Sequence, residues 1–510
     1  MRKIAGPAWA RHRVGTSLNG AHAGAVDRLL RRLAAWLDHV ALFAAALAAI
    51  ASVLLARAPD HINQDGFLGL VAGREVATNG LPQHDTLTVM ANGARWVDEQ
   101  WLSQLSMYGL HQLGGLALVT IVEVALTVGA FALAIAAARR LGGSELHVLC
   151  VLPLAGFLFI VVAVEIRTQE FAYPLFVAVL WLLAADARRP SHRTLLVFPL
   201  LCIWANLHGS VVIGAALTAL YGLVCLLPGG AKAPVGRSAA FLLGGPACLL
   251  ATPYGPAVVG YYQGTLLNPI FKRVIAEWQP ITSSTLDAVA FFLMAFGCIW
   301  VLGRSRTRLL AFESLTLLVL IVAGITTIRN VAWFALAVMV LLPPIAATAF
   351  AERRAAPRRT GPNRLLLGAA TTALLVTGVV VAAKPRTWFE RGYDQRTLHV
   401  VAEAAARDPS LRVFADGRFA DWLLWHLPEL RGRIAYDARL ELLSTRQLMA
   451  LSRLASVAGA DFHRPVDGYE VLVLESVGYR QATAALLKLH GTQIALDGRQ
   501  VIVATRRTQP

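Results

Sequence analysis

The feature that most constrains this chain is a succession of long apolar blocks. Most hold about 20 residues, enough to cross a hydrocarbon core of roughly 30 Å. Inside that core every backbone polar group needs an internal partner, so such blocks must fold as helices. Eleven can be read, at 34–56, 115–138, 146–165, 171–186, 195–207, 209–228, 239–258, 286–303, 309–328, 330–350 and 363–383. Composition agrees: 56% of the 510 residues are hydrophobic and only 15% charged, against about 25% charged in a soluble domain. A soluble enzyme is excluded, and a polytopic α-helical membrane protein is expected. The five cysteines, Cys150, Cys202, Cys225, Cys248 and Cys298, lie in or beside apolar blocks without CxxC spacing. Neither a disulfide framework nor a zinc site is indicated.

A formal charge of +16 raises the question of nucleic acid, and the placement of the charge answers it. Up to residue 383 there are 29 Lys and Arg, and 22 of them fall on one side of the eleven blocks. That side comprises residues 1–33 and every second connection: Arg139-Arg140, Arg188/Arg189/Arg193, Lys232/Arg237, Arg304/Arg306/Arg308 and Arg353/Arg354/Arg358/Arg359/Arg364. Lys and Arg favour cytoplasmic loops. Residues 1–33 are therefore expected to be a basic cytoplasmic N-terminus, 34–383 the transmembrane region, and 384–510 a domain outside. Topology accounts for the basic excess without nucleic acid. The 42 Arg against 5 Lys, with abundant Ala and Gly, suit a GC-rich bacterial genome, hence a bacterial inner membrane.

Two outside segments are large. The first, 57–114, is punctuated by Asn79-Gly80-Leu81-Pro82 and Gly114-Gly115, which bracket two helices. Phe67, Leu70 and Val71 share one face of the first and Trp101, Leu105 and Tyr108 one face of the second, the spacing of helices packed on a bundle or membrane surface. Asp98 is expected to cap the second. The other segment, 384–510, holds 18 basic and 14 acidic residues. Its short β runs, Leu411–Phe414, Ile434–Tyr436 and Val471–Leu474, alternate with helical stretches and predict a small α/β domain with a parallel sheet. Leu496-Asp497-Gly498-Arg499 predicts a closing hairpin. Asp416-Gly417-Arg418 reads as the loop of a βα unit, with Asp421 and Arg418 on a solvent face.

Costly polar groups gather at the outside level. The first loop carries Asp60, Asp65, His84, Asp85, Asp98 and Glu99, and later outside turns carry Arg167, Asn206 and His208, Lys272 and Arg273 with Glu277, and Arg329. Taken singly, each has an ordinary role as an interfacial anchor or interhelical hydrogen bonder. Together, ionisable groups held at one depth mark a site. Glu123, within the second block, needs a partner such as Arg167 or Arg329.

The order of these motifs resembles a family. Asp65-Gly66-Phe67-Leu68, Gly73-Arg74, Asn79-Gly80-Leu81-Pro82-Gln83-His84-Asp85 and Trp96-Val97-Asp98-Glu99-Gln100-Trp101 look like the first external loop of GT-C type membrane glycosyltransferases. Arg167-Thr168-Gln169, Trp204 through Gly209, Thr252-Pro253-Tyr254-Gly255, Glu277-Trp278 and Tyr436-Asp437-Ala438-Arg439-Leu440-Glu441 are similar to a bacterial branch of that group. The better-known members include protein O-mannosyltransferases and the lipid A aminoarabinose transferase. By position, the resemblance implies that Asp65 is the catalytic acidic residue.

Chemistry points the same way. Nucleotide sugars are cytosolic, so an outside-facing transferase needs a membrane-carried donor such as a polyprenyl-phosphate sugar. The acceptor would be a lipid, protein or polysaccharide. A phosphate departs without a strong acid, so the chain must supply a carboxylate base and fixed cations. Asp65 is the expected base and Arg329 the expected phosphate ligand, with Arg167, Lys272 and Arg273 as alternatives. No cofactor is specified; a divalent cation at Asp98-Glu99 or His84/Asp85 stays open, though no spacing resembles a defined metal site. A flippase for a lipid-linked glycan and a non-catalytic envelope scaffold are the competing readings; the flippase lacks the expected internal symmetry.

The charge distribution yields a direct test. A reporter fused at Pro510 that is active only outside the cytosol is expected to be active; one active only inside would reverse the topology.

Overall fold

A computed structural model describes residues 40–227, 234–282, 285–305, 311–350, 360–489 and 491–506. The basic segment 1–33 and Lys232, Arg306, Arg308, Arg353, Arg354, Arg358 and Arg359 lie outside the described residues. Six helices are long and apolar enough to cross a membrane: Trp101–Arg140, Glu145–Ala163, Thr168–Arg188, Leu286–Arg304, Ile328–Ala349 and Gly361–Ala382. Five shorter apolar helices accompany them: Val40–Ala56, His192–Trp204, Val211–Leu226, Val235–Leu250 and Ala311–Thr326. The chain is a multi-pass membrane protein.

The bundle is organised around Val331–Ala349, which is buried along nearly its whole length. Trp333 packs against Tyr173, Phe176 and Trp204 at centroid distances of 5.2–5.8 Å. The seventh apolar block departs from expectation. It ends at Leu250 rather than continuing to residue 258, and a separate helix, Ala257–Leu266, follows. Pro253 lacks an N–H and disfavours helix at Thr252, and Gly255 turns left-handed at φ +50°.

The first loop holds two helices. Gln64–Asn79 starts at Asn63, whose side chain accepts from the Asp65 and Gly66 N–H groups, and stops at Gly80 with φ +78°. Trp101–Arg140 continues into the membrane, but Gly114 and Gly115 break it, the latter at φ +63°. Phe67, Leu70 and Val71 are all buried, as their shared face predicts. In the second helix the buried face is Ser103, Gln104 and Met107, while Trp101, Leu105 and Tyr108 are half-buried. Asp98 does not cap that helix. Gln100 holds the N-cap position, and the Asp98 carboxylate accepts from the Gln100 N–H in a turn just before it. Helix contact is possible because Gly73 lets the backbones meet: a Cβ there would lie 2.1 Å from the Gln104 carbonyl oxygen.

The C-terminal segment carries a four-stranded sheet in the order β1-β2-β4-β3, formed by β1 Val413–Ala415, β2 Val471–Glu475, β3 Thr492–Asp497 and β4 Val501–Arg506. Only β1 and β2 run parallel; β4 is antiparallel to both β2 and β3. The sheet is therefore mixed rather than parallel, because the expected hairpin returns the chain beside β2. Ile434 joins only by isolated bridges, to Val413 on one side and to Thr88 of the first loop on the other. Backbone bonds from Val89 to Ile434, Met90 to Ala435 and Gly432 to Leu87 complete that seam. Asp421 is buried and accepts from the Ala438 N–H, so it does not sit on a solvent face. Phe67 packs against Tyr393 at 5.1 Å, edge to face, bringing the first-loop helix beneath the C-terminal domain.

Gly73→Val should lower stability by about 1–3 kcal/mol through overpacking. Thermal unfolding of the purified protein checks this, with Gly109→Val, where a Cβ would meet open space, controlling for the cost of a β-branched residue.

Candidate functional site

The polar groups converge on one guanidinium. Arg167 Nη1 lies 2.9 Å from Glu165 Oε2, 2.9 Å from Glu277 Oε1 and 3.4 Å from Asp65 Oδ2. Its own side chain is almost wholly covered. Asp65 is delivered there by the first turn of Gln64–Asn79. The next residue, Gly66, is forced by proximity: a Cβ on it would sit 2.6 Å from the Ile166 carbonyl oxygen. The Ile166 N–H in turn donates to the His61 carbonyl, clamping the two turns together.

Three carboxylates share this cation, so they cannot all be equally easy to ionise. Burial raises the Asp65 carboxyl above its ordinary value, against the pull of Arg167, and Glu277 adds to the rise. Glu277 is held low, chiefly by Arg167. Asp65 nevertheless keeps 36% of its side chain accessible. Strong desolvation with an open face is what a carboxylate in a deep recess experiences.

Arg329 is placed differently. Its guanidinium lies 5.5 Å from the Trp278 ring centroid, and among the described residues it forms no ion pair. Its charge reaches Asp65, Glu277 and Glu99. It stands in the last turn before Val331–Ala349, where the positive helix end reinforces an anion site. His208 is close to both arginines, and burial keeps its pKa well below the usual range. Trp204 Nε1 donates to Ser210 Oγ, and the Ser210 hydroxyl and N–H both reach His208 Nδ1. A ring nitrogen that accepts a backbone N–H carries no proton, so the proton is on Nε2.

On the far side of Arg329, Tyr261 donates to Glu99 Oε1 at 2.6 Å. Burial pushes Asp98 and Glu99 each up to about 7. Glu441 of the C-terminal domain joins them and is pushed up to about 8, again by burial with Glu99 nearby. Asn206 accepts from Trp101 Nε1 at 2.9 Å and donates to the Cys202 and Ala251 carbonyls, a bracing role.

The remaining predicted residues lie elsewhere. Asp85 ends a turn by accepting from Leu87 and Thr88, and pairs with Arg439, which also holds Asp437 and stacks 4.0 Å from the Trp96 ring centroid. His84 is exposed. Lys272 and Arg273 are exposed on Phe271–Val274 and pair with no described residue. Asp60 pairs with Arg57 and Arg391. Glu123 has neither arginine as partner; both its oxygens are buried without a hydrogen bond. Among the described residues no group of three or more His, Cys, Asp or Glu side chains is gathered to hold a metal ion. Tyr261 carried no sequence signal; Glu165, in the Arg167 turn, and Arg439 and Glu441, within the Tyr436–Glu441 motif, were not singled out as site residues. An arginine amid the acids of Asp437–Glu441 was the available signal.

The chain matches no family model and no curated protein. Among solved structures it is similar to ArnT from Cupriavidus metallidurans in the apo state, with a TM-score of 0.50 and 13% identity, covering 92% of this chain and 97% of that one. The chain has a GT-C fold. ArnT bound to undecaprenyl phosphate aligns at a TM-score of 0.47 and 14% identity, over 92% and 98% of the two chains. Arabinofuranosyltransferase AftD from Mycobacteria aligns at 0.44 and 14% identity, covering 91% of this chain; the chain spans only 40% of AftD's length.

Proposed function

We propose that this GT-C chain is a glycosyltransferase of the bacterial inner membrane. It moves a sugar from a polyprenyl-phosphate donor to an acceptor outside the cytosol, with 384–510 on that outer side. The observation that carries the reading is the pairing of an accessible, desolvated carboxylate at Asp65 with an uncommitted cation at Arg329. The kinship of fold with ArnT, itself found with undecaprenyl phosphate, sets the class of donor considered.

In this reading Asp65 takes the proton as the acceptor oxygen or nitrogen attacks the anomeric carbon. The bond from that carbon to the phosphate oxygen breaks, and its electron pair leaves with the phosphate. Arg329 and the His208 Nε2–H stabilise the departing anion; a neutral donor there works without a change of charge. Arg167 is committed to three carboxylates, so its role is to position Asp65 rather than grip phosphate. Lys272 and Arg273 suit the approach of an anionic headgroup. The C-terminal domain positions the acceptor or closes the recess. A divalent cation is not required by this scheme, and turnover that survives a chelator would agree with it.

Asp65→Asn should leave at most a few per cent of the wild-type rate, since a general base contributes about 10²–10⁴-fold. Arg329→Ala should weaken donor binding and turnover together. Transfer from polyprenyl-phosphate sugars to a crude envelope acceptor reads both; wild-type turnover in Asp65→Asn would refute the base. A scaffold or a flippase would show no transfer at all.

Glu277→Gln gives a pH test with a definite sign. It removes a negative neighbour from Asp65 and leaves Arg167 more available to it, so the Asp65 carboxyl should ionise at lower pH. The acid limb of kcat/KM should then move to lower pH than in wild type. An unmoved limb would separate Glu277 from the base.

A further inference from the structure

A cavity of about 570 Å³ opens between the start of the first loop and the C-terminal domain. Asp60, Asn63 and Gln64 line it from the loop; Arg391, Arg418, Glu475 and Gln500 line it from the domain. The charges on its walls are matched. Arg391 pairs with Asp60 at 2.5 Å, and Arg418 Nη1 with Glu475 Oε1 at 2.7 Å. Arg418 also donates to the Gly392 carbonyl at 3.0 Å. The lining holds two acids and two arginines, so it is neutral overall.

That chemistry excludes several ligand classes. An anion such as a phosphate would need an unpaired cation, and both arginines are already paired. A lipid chain would need apolar walls, and only Pro59 and Ile62 supply them. A nucleobase finds no aromatic ring to stack on, and both guanidinia are held in ion pairs with the walls. What remains is a neutral wall of carboxylates, guanidinia and amides whose donors and acceptors left over from these pairings suit hydroxyl groups. The volume falls within the range of pockets that enclose small-molecule ligands.

We propose that this cavity binds a neutral oligosaccharide, the glycan part of the acceptor. The proposal rests on the transferase reading for its biological sense, though not for its test. Asn63 connects the two sites: it lines the cavity while its side chain accepts from the Asp65 N–H at 3.0 Å. A sugar seated there would lie next to the turn that carries the proposed base. Asp60 is then a sugar ligand rather than a rival base, because its carboxylate is held by Arg391 and Arg57.

Binding is measured without donor or turnover, which separates this proposal from the assigned reaction. The purified full chain is examined by saturation-transfer NMR against neutral trisaccharides of glucose, galactose, mannose and arabinose, with trigalacturonate as the anionic control. At least one neutral trisaccharide should show transfer and trigalacturonate none. Arg391→Ala should weaken binding about tenfold, the effect of losing a charged hydrogen-bond donor. Gln500→Trp should abolish it by filling the cavity from the half-buried β3–β4 turn. Asp65→Asn should leave binding unchanged. Absence of transfer from every neutral trisaccharide, or signals that persist undiminished in both Gln500→Trp and Arg391→Ala, would overturn the proposal. Binding without any sugar transfer would instead overturn the enzymatic reading and leave the cavity's role standing.

Discussion

Arg167 is a cation removed from water, and this end of the molecule is arranged around the need to satisfy it. Unpaired, such a charge would cost several kcal/mol. Three carboxylates answer it: Glu165 from its own turn, and Asp65 and Glu277 from two others. Those two come from different helix ends, so their pairing also fixes the relative height of those helices. The excess of negative charge at the same point leaves the three carboxylates unequally compensated: burial raises both Asp65 and Glu165, while Arg167 holds Glu277 low. Of the two raised groups, Asp65 has the longer contact with the guanidinium.

The second dependence runs through the seam between first loop and C-terminal domain. Backbone bonds join residues 87–90 to 432–435, and Arg439 crosses the same boundary to Asp85. Arg431 pairs with Glu75 at 2.8 Å, and Arg74 donates to the Leu424 and Trp425 carbonyls. Through these contacts the domain holds the helix that carries Asp65. The domain therefore shapes the surroundings of Asp65, and the polar cavity beside Asn63 exists only because the two segments meet there.

Much of this was legible in advance for identifiable reasons. Glycine and proline signals at 79–82 and 114–115 bounded the first-loop helices because left-handed backbone is cheap only for Gly. The Phe67, Leu70 and Val71 face was readable because a 3.6-residue period is a local property. Local signals also misled. Asp98 has the chemistry of a cap, yet the N-cap falls two residues later, at Gln100, and Pro253-Tyr254-Gly255 cut short a block that hydropathy alone would extend. Ile434–Tyr436 has the composition of a strand, but its neighbours are single residues on either side.

The sequence by itself determined that the chain spans a membrane repeatedly, where helix is the only solution to backbone hydrogen bonding, and that charged groups collect at one level. It also singled out Asp65, Arg167, Glu277 and Arg329 as residues of that level. Only the tertiary structure decided how they divide the work. Whether an arginine is committed or free depends on which carboxylates reach it, and those come from turns about a hundred residues apart in the chain. No periodicity or motif encodes that meeting, because it arises from helix heights and glycine-sized contacts that exist only once the bundle has packed.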